Sequence, residues 1–399
     1  MIVLSYHYVI SLIICDYTVR DLTSLVKIFP SLRIGDLQVN PPIIQGGMGV
    51  RVSLSRLAAA AANEGCVGVI ASAGIGNFTD DSIVDINEVN EKALRQEIRK
   101  ARQMTNGILG VNIMVALSDY ESLARAAVEE EVDLIVSGAG LPLHLPEYAR
   151  GSRVKLIPIV SSARAFKIIC SKWQKNYGRR PDAVIVEGPL AGGHLGYSYE
   201  EMTAGTAMRL EESMAEILPL ARSFSPAIPV IAAGGIFDGA DIAHYLGLGA
   251  SGVQMATRFV CTQECDADDT FKQAYLAAKE ADVTIINSPV GLPGQVIRNG
   301  FVDRIQAGKC LPYRCKYQCL RSCNSKEAPY CIADVLDRAA QGKLTDAFVF
   351  AGSNVYRCNE IVTVKTLIQK VTQEYILFGQ NNFAPFPEDL ESKKVRSEP

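Results

Sequence analysis

From residue 41 onward the chain repeats one texture: a short, nearly unbroken apolar run ending in Gly, Ser or Asn, then a longer amphipathic stretch. The runs fall at 42–45, 67–71, 108–112, 133–136, 155–160, 183–186, 230–233 and 252–255. Unbroken rather than alternating runs mark strands covered on both faces, as in parallel sheets. The intervening stretches, such as 53–63 (SLSRLAAAAAN) and 241–248, have helical composition. Strand–helix alternation implies βαβ units on a parallel sheet, and eight of them over about 220 residues suit a TIM barrel. An open doubly wound sheet fits less well, because Gly46-Gly47-Met48-Gly49 follows the first run where that fold carries G-x-G-x-x-G.

Past about residue 305 the texture changes. Segments 330–341 and 361–371 read as helices, 348–352 as a short apolar stretch between them, and the polar 380–399 as a flexible tail. The expected fold class is α/β, a (β/α)8 TIM barrel with a C-terminal, mostly helical, Cys-rich appendage. The expected division is 1–33 extension, 34–305 barrel, 306–379 appendage and 380–399 tail.

Composition acts mainly by exclusion. With 48% hydrophobic residues, 21% charged and a formal net charge of -3, the chain lacks the basic stripe of a nucleic-acid binder and any like-charge block for anionic lipid. The apolar opening MIVLSYHYVISLIIC is shorter than the roughly 20 residues a membrane span needs. It also lacks a basic start and a small-residue cleavage pattern, so it reads as a packed or dispensable extension. Eleven cysteines in a chain with room for a large core read as reduced thiols of a cytoplasmic protein. Five of them, Cys310, Cys315, Cys319, Cys323 and Cys331, crowd one segment at intervals that do not match the usual two-residue spacing of zinc or iron–sulfur pairs. A packed reduced segment is the preferred reading; a metal or cluster site and redox-active thiols stay open.

In a TIM barrel the active site lies at the C-terminal ends of the strands. There the first run gives Gly46, Gly47 and Met48, the sixth Glu187-Gly188-Pro189-Leu190-Ala191-Gly192-Gly193-His194, the seventh Gly234-Gly235, and the eighth Gln254-Met255-Ala256-Thr257. One Gly serves any tight turn; four such loops on one rim point to a ligand. The usual phosphate site of these barrels uses the loops after strands seven and eight and a helix N-terminus. Gly234 and Gly235 would admit close main-chain approach and Thr257 a hydroxyl donor, so a phosphate-bearing ligand is expected. Of the four histidines, His7, His144, His194 and His244, only His194 sits between glycines on the rim. An imidazole titrating near neutrality there is a natural general base for removing a proton from carbon. His144, after the fourth strand, is the second candidate for touching substrate, and His244 reads as a helix-surface residue. No G-x-S-x-G elbow supports Ser-His-Asp hydrolysis, and no H-E-x-x-H supports a histidine metal centre.

The strings PPIIQGGMG (41–49), GVNIM (110–114), VSGAGLP (136–142), VEGPLAGGHLG (186–196), IPVIAAGGI (228–236) and GASGVQMATRF (249–259) fall in order. Together they resemble the nitronate monooxygenase family, formerly the 2-nitropropane dioxygenases, whose superfamily also holds FMN-dependent enoyl-acyl-carrier-protein reductases. The resemblance covers about residues 34–305 and implies an FMN-binding barrel. Carried over by position, it implies FMN contacts at Gly46, Gly47, Met48, Asn112, Glu187, Gly192, Gly193, Gly234, Gly235, Gln254, Met255 and Thr257, and makes His194 the catalytic histidine. Where the family usually has Gly before that Thr, this chain has Ala256, which implies a tighter phosphate loop.

The expected function is therefore an FMN-dependent oxidoreductase, a nitronate monooxygenase oxidising alkyl nitronates with O2. The alternative is an enoyl-acyl-carrier-protein reductase that takes electrons from NAD(P)H. In that reading Arg51, Arg56, Arg164 and Lys167 would receive the acidic carrier protein. A flavin-binding regulatory protein without turnover is the third reading, against which an intact His194 argues. A small-molecule substrate is expected, with neither nucleic acid nor membrane as partner; a homodimer is left open.

Overall fold

The computed structural model describes residues 29–76, 85–313, 315 and 318–382. The apolar opening, His7 and residues 383–399 of the expected tail lie outside them.

Fourteen strands are present among the described residues: β1 (Leu32–Ile34), β2 (Leu37–Val39), β3 (Ile43–Gln45), β4 (Gly68–Ala71), β5 (Leu109–Met114), β6 (Leu134–Gly138), β7 (Lys155–Val160), β8 (Val184–Glu187), β9 (Gly193–His194), β10 (Val230–Ala233), β11 (Gly252–Met255), β12 (Val283–Asn287), β13 (Pro293–Ile297) and β14 (Val349–Phe350). Eight of them form one parallel sheet in the order β3-β11-β10-β8-β7-β6-β5-β4. A parallel bridge from Ile44 to Val67 joins its two ends and closes the ring. The expected TIM barrel is the observed one.

Both faces of each strand are buried, which is why the runs are unbroken. Ile44, Val69, Val136, Ile157, Ile185 and Ile231 point into the lumen as one cluster. Their neighbours Ile43, Ile70, Ile135, Leu156, Val186 and Val230 face the helical layer in another. The antiparallel hairpin β1–β2 plugs the lumen from below with Leu32, Ile34 and Val39. Gly252 opens β11 because a Cβ there would sit 2.8 Å from Leu32 Cδ2 and from the Pro42 carbonyl. Outside, Asp85, Ser162 and Asp238 cap helices Ile86–Met104, Ala163–Tyr177 and Gly239–Gly247 with side-chain oxygens. The only Trp, Trp173, is fully buried and donates to the Pro142 carbonyl at 2.9 Å. No helix among the described residues is long and apolar enough to cross a membrane.

The C-terminal region contains the expected helices, as Ile332–Ala340 and Val364–Asn382. It also contains an antiparallel sheet, β12-β13-β14, that the apolar pattern does not announce. β13 pairs on one part of its length with β14 and on another with β9, so this sheet grips the chain that carries His194. Residue 305 falls inside helix Gly300–Gln306 rather than at a break, and 283–297 belong to the added sheet. The last helix packs along helix Gly239–Gly247, and Arg258 pairs with its Glu374 at 3.2 Å.

Candidate active site

A cavity of about 230 Å³ opens at the C-terminal rim of the barrel. Every site residue expected from the sequence lines it: Gly46, Gly47, Met48, Asn112, Glu187, Gly192, Gly193, His194, Gly234, Gly235, Gln254, Met255 and Thr257.

The floor is set by Gln45, fully buried at the end of β3. Its Nε2 donates to the Gly46 carbonyl at 2.6 Å and its Oε1 accepts the Val69 N–H at 2.8 Å, which fixes the turn that follows. Gly46 N–H continues the ladder to Met255 O at 2.8 Å. A Cβ on Gly46 would meet Ala256 Cβ at 3.2 Å, and one on Gly47 would collide with Asn112 Cβ. These glycines hold the main chain against the cavity.

At the other end, Gly234 and Gly235 follow β10 at φ +94° and +83°, where side chains are disfavoured. The N–H groups of Gly235 and Ile236 donate to no acceptor among the described residues, and neither does that of Thr257, the first residue of helix Thr257–Val260. Thr257 Oγ1 accepts the Gly352 N–H at 3.3 Å, which leaves its own proton free to donate. Asn354 braces the loop by donating to Gly235 O at 2.6 Å. Main-chain donors without a protein acceptor that line one cavity can serve an anion. The nearby arginines are occupied elsewhere. Arg258 donates to Phe237 O and pairs with Glu374, Arg357 pairs with Asp238, and both stack on the Phe237 ring. No Lys or Arg is among the residues lining the cavity.

Between the two ends stand Glu187 and His194. Glu187 ends β8, and burial pushes its carboxyl up to about 7. Tyr197 O–H donates to the Glu187 carbonyl at 3.1 Å. His194 lies on β9, opposite Gly294 of β13. Its Nε2 is 2.8 Å from Ser288 Oγ, and its ring meets Phe350 edge-on at 4.8 Å. Burial alone pulls this imidazole down to about 4. The expected titration near neutrality is therefore corrected: the ring is neutral throughout the physiological range, because nothing charged compensates its desolvation. A neutral imidazole can accept a proton, and unsatisfied main-chain donors in the same cavity can hold an anion while a substrate meets that ring.

The other two histidines among the described residues, His144 and His244, are not in the cavity lining. His144 is exposed, with Nδ1 3.2 Å from Tyr177 Oη, and His244 sits 3.7 Å from Glu211. In the cysteine segment, burial and the neighbouring Cys331, Cys315 and Cys323 push Cys319 up to about 12. Among the described residues no three His, Cys, Asp or Glu side chains are placed to hold a metal ion. The segment instead lies along the loop after β5, where Ser118 N–H donates to Cys319 O at 3.1 Å and Arg321 N–H to Ala116 O at 2.9 Å.

Sequence reasoning missed the cavity's C-terminal wall. Phe350, Ala351 and Gly352 line it, as do Leu336, Phe271 and Tyr275, and Ser288 touches His194. The one local sign was the apolar 348–352 stretch; Ser288 has none.

Comparison with known proteins gives a consistent picture. A family described as nitronate monooxygenase matches residues 31–374. A (3aS,4S,5R,7aS)-5-hydroxy-7a-methyl-1-oxo-octahydro-1H-indene-4-carboxyl-CoA dehydrogenase of Rhodococcus jostii is 31% identical over 67% of this chain and 65% of its own, so the match spans just under two thirds of that relative. A probable nitronate monooxygenase of Staphylococcus haemolyticus is 27% identical over 72% of this chain and 84% of its own. Among solved structures, FabK from Thermotoga maritima superposes with a TM-score of 0.66 at 26% identity, over 90% of this chain and 97% of its own.

Proposed function

The chain belongs to the nitronate monooxygenase family, and on that premise we propose that it is an FMN-dependent oxidoreductase that oxidises alkyl nitronates with O2. The observation that carries the reading is the joining, in one cavity, of main-chain donors at Gly235, Ile236 and Thr257 that have no acceptor among the described residues with the imidazole of His194.

The cradle fits a single phosphate monoester. Its donors are main-chain N–H groups and the Thr257 hydroxyl, and the close approach they need is what Gly234 and Gly235 permit. When bound, FMN would supply the two-electron acceptor that O2 reoxidises. Gly46, Gly47, Met48 and Asn112 would support the cofactor from the β3 and β5 sides; Glu187, Gly192, Gly193, Gln254 and Met255 would close around it. His194 would take the proton of a neutral nitroalkane at a ring nitrogen, the carbon keeping the electron pair as the nitronate. Met114, Ile159 and Phe350 give the substrate an uncharged wall that excludes water. A preformed nitronate arrives already deprotonated and needs no base.

The second reading, an enoyl-thioester reductase fed by NAD(P)H, draws on the likeness to FabK over nine tenths of the chain. Of the basic patch it needs, Arg51 faces Asp337 at 3.6 Å, while Arg56 keeps its charge as it donates to the Gln263 carbonyl. The test is a purified, FMN-loaded sample given propyl nitronate, or an enoyl thioester with NADH or NADPH, with and without O2. Oxygen uptake with the nitronate and no enoyl reduction supports the first reading; the reverse selects the second.

A further inference from the structure

We infer that Ser288 is a positioning residue for His194: it holds Nε2 and leaves Nδ1 as the nitrogen that exchanges the substrate proton. The inference rests on the proposal that His194 is the base.

Ser288 is buried at the end of the β12–β13 hairpin, with Oγ 2.8 Å from His194 Nε2. The turn that carries it is closed by Gly291 N–H to Ser288 O at 2.9 Å and Ser288 N–H to Leu292 O at 3.3 Å. Val290 N–H donates to the same Oγ at 3.3 Å, fixing where its remaining lone pair points. Ser322, inside the cysteine segment, donates to Val290 O at 2.8 Å, so that segment buttresses the turn from behind. On the other side the Phe350 edge limits rotation of the imidazole. His194 lines the cavity, and its Nδ1 has no partner among the described residues.

A neutral imidazole carries one proton, and a serine hydroxyl can meet the bonded nitrogen as acceptor or as donor, so it is the role of base that selects the tautomer with the proton on Nε2. With the proton on Nε2, it is donated to Ser288 Oγ and Nδ1 is left as the ring's free acceptor in a residue that lines the cavity. When the substrate C–H bond breaks, its proton forms the Nδ1–H bond and its electron pair stays on the substrate carbon. The resulting imidazolium keeps the same Nε2–H···Oγ bond, so nothing must move. The opposite tautomer would put a proton on Nδ1 and leave the ring without a base facing the substrate. The groups packed against the ring, Ser288 and Phe350, do not titrate near neutrality; Glu187 shares the cavity but exerts no resolved influence on the imidazole.

The experiment uses FMN-loaded protein labelled with 15N at histidine. At pH 7 the two-bond proton–nitrogen spectrum of the parent should show His194 protonated at Nε2 and bare at Nδ1. In Ser288→Ala the tautomers should mix, and flavin reduction by nitroethane should slow about tenfold, the worth of one lost hydrogen bond, with little change in KM. Ser288→Thr should recover most of the rate, and a preformed nitronate should react equally in all three. A parent spectrum with the proton on Nδ1, or an unslowed Ser288→Ala, overturns the inference. His194→Asn separates the two failures. If it is slow with nitroethane while Ser288→Ala is not, only the role of Ser288 falls; if it too keeps the parent rate, the base assignment falls.

Discussion

Replacing Gly235 with Val tests the phosphate cradle at its tightest point. Gly235 has φ +83°, which costs an L-residue about 1–2 kcal/mol, and a β-branched side chain is stiffer still. A Cβ there would also stand 3.0 Å from both Cβ and Cδ1 of Leu190, a rim side chain that is 49% exposed, so that Cδ1 can turn away while the Cβ contact asks for a small main-chain shift. The barrel itself should survive. A penalty of about 1–2 kcal/mol in a domain of this size lowers the Tm of the apoprotein by roughly 1–3 °C. Cofactor binding should suffer more, because the branched side chain stands where the main chain must approach the phosphate, and the Gly235 and Ile236 N–H groups lose their alignment. Losing one or two charge-assisted hydrogen bonds at about 1.5–3 kcal/mol each weakens FMN by at least about tenfold. Flavin fluorescence quenching on titration gives the Kd, and circular dichroism checks the fold. A folded Gly235→Val protein that retains parent flavin content would refute the location of the phosphate.

The pH dependence follows from the burial of His194. Because its folded pKa, about 4, lies below the ordinary 6.5, the ring contributes stability to the folded state above pH 6.5 and loses it as pH falls from 6.5 toward 4. For the same reason kcat/KM for a nitroalkane should show no acid limb near pH 6.5; a limb there would mean that the ring is solvated. Glu187 has the opposite sign: raised to about 7, it favours folding below about 4.5 and loses that contribution as pH rises through 7, so apoprotein melting followed from pH 5 to 8 should decline at the upper end. Cys315→Ser with Cys319→Ser should leave flavin content and turnover nearly unchanged, and elemental analysis of the parent should find no stoichiometric zinc or iron. About one equivalent of metal, lost in the double variant, would reverse that reading.

The barrel was legible because parallel strands between a packed lumen and a helical layer need apolar residues on both faces. The runs 155–160, 230–233 and 252–255 coincide with β7, β10 and β11, and the others differ by a residue or two at their ends. The rim glycines were legible because close main-chain approach admits no Cβ. What stayed hidden depends on distance along the chain. β12 to β14 alternate weakly and include Pro293 and Gly294, so they carry no strong period. Ser288 meets His194 from 94 residues away, and no local spacing records that contact. The apolar 348–352 stretch was visible, but only the fold turns it from part of an appendage into a wall of the cavity. Solvation was invisible too: the same imidazole that titrates near neutrality in water is held neutral by its surroundings here.

The most direct test of the account is anaerobic stopped-flow reduction of the bound flavin in the parent and in His194→Asn, with nitroethane and with its preformed nitronate. Asn keeps a comparable size and some hydrogen bonding but cannot take a proton near neutral pH. General-base catalysis contributes about 10²–10⁴-fold, so the account predicts a loss of that order with nitroethane and little loss with the nitronate. Equal rates for parent and variant with both substrates, or no flavin reduction by either substrate in the parent, would contradict it.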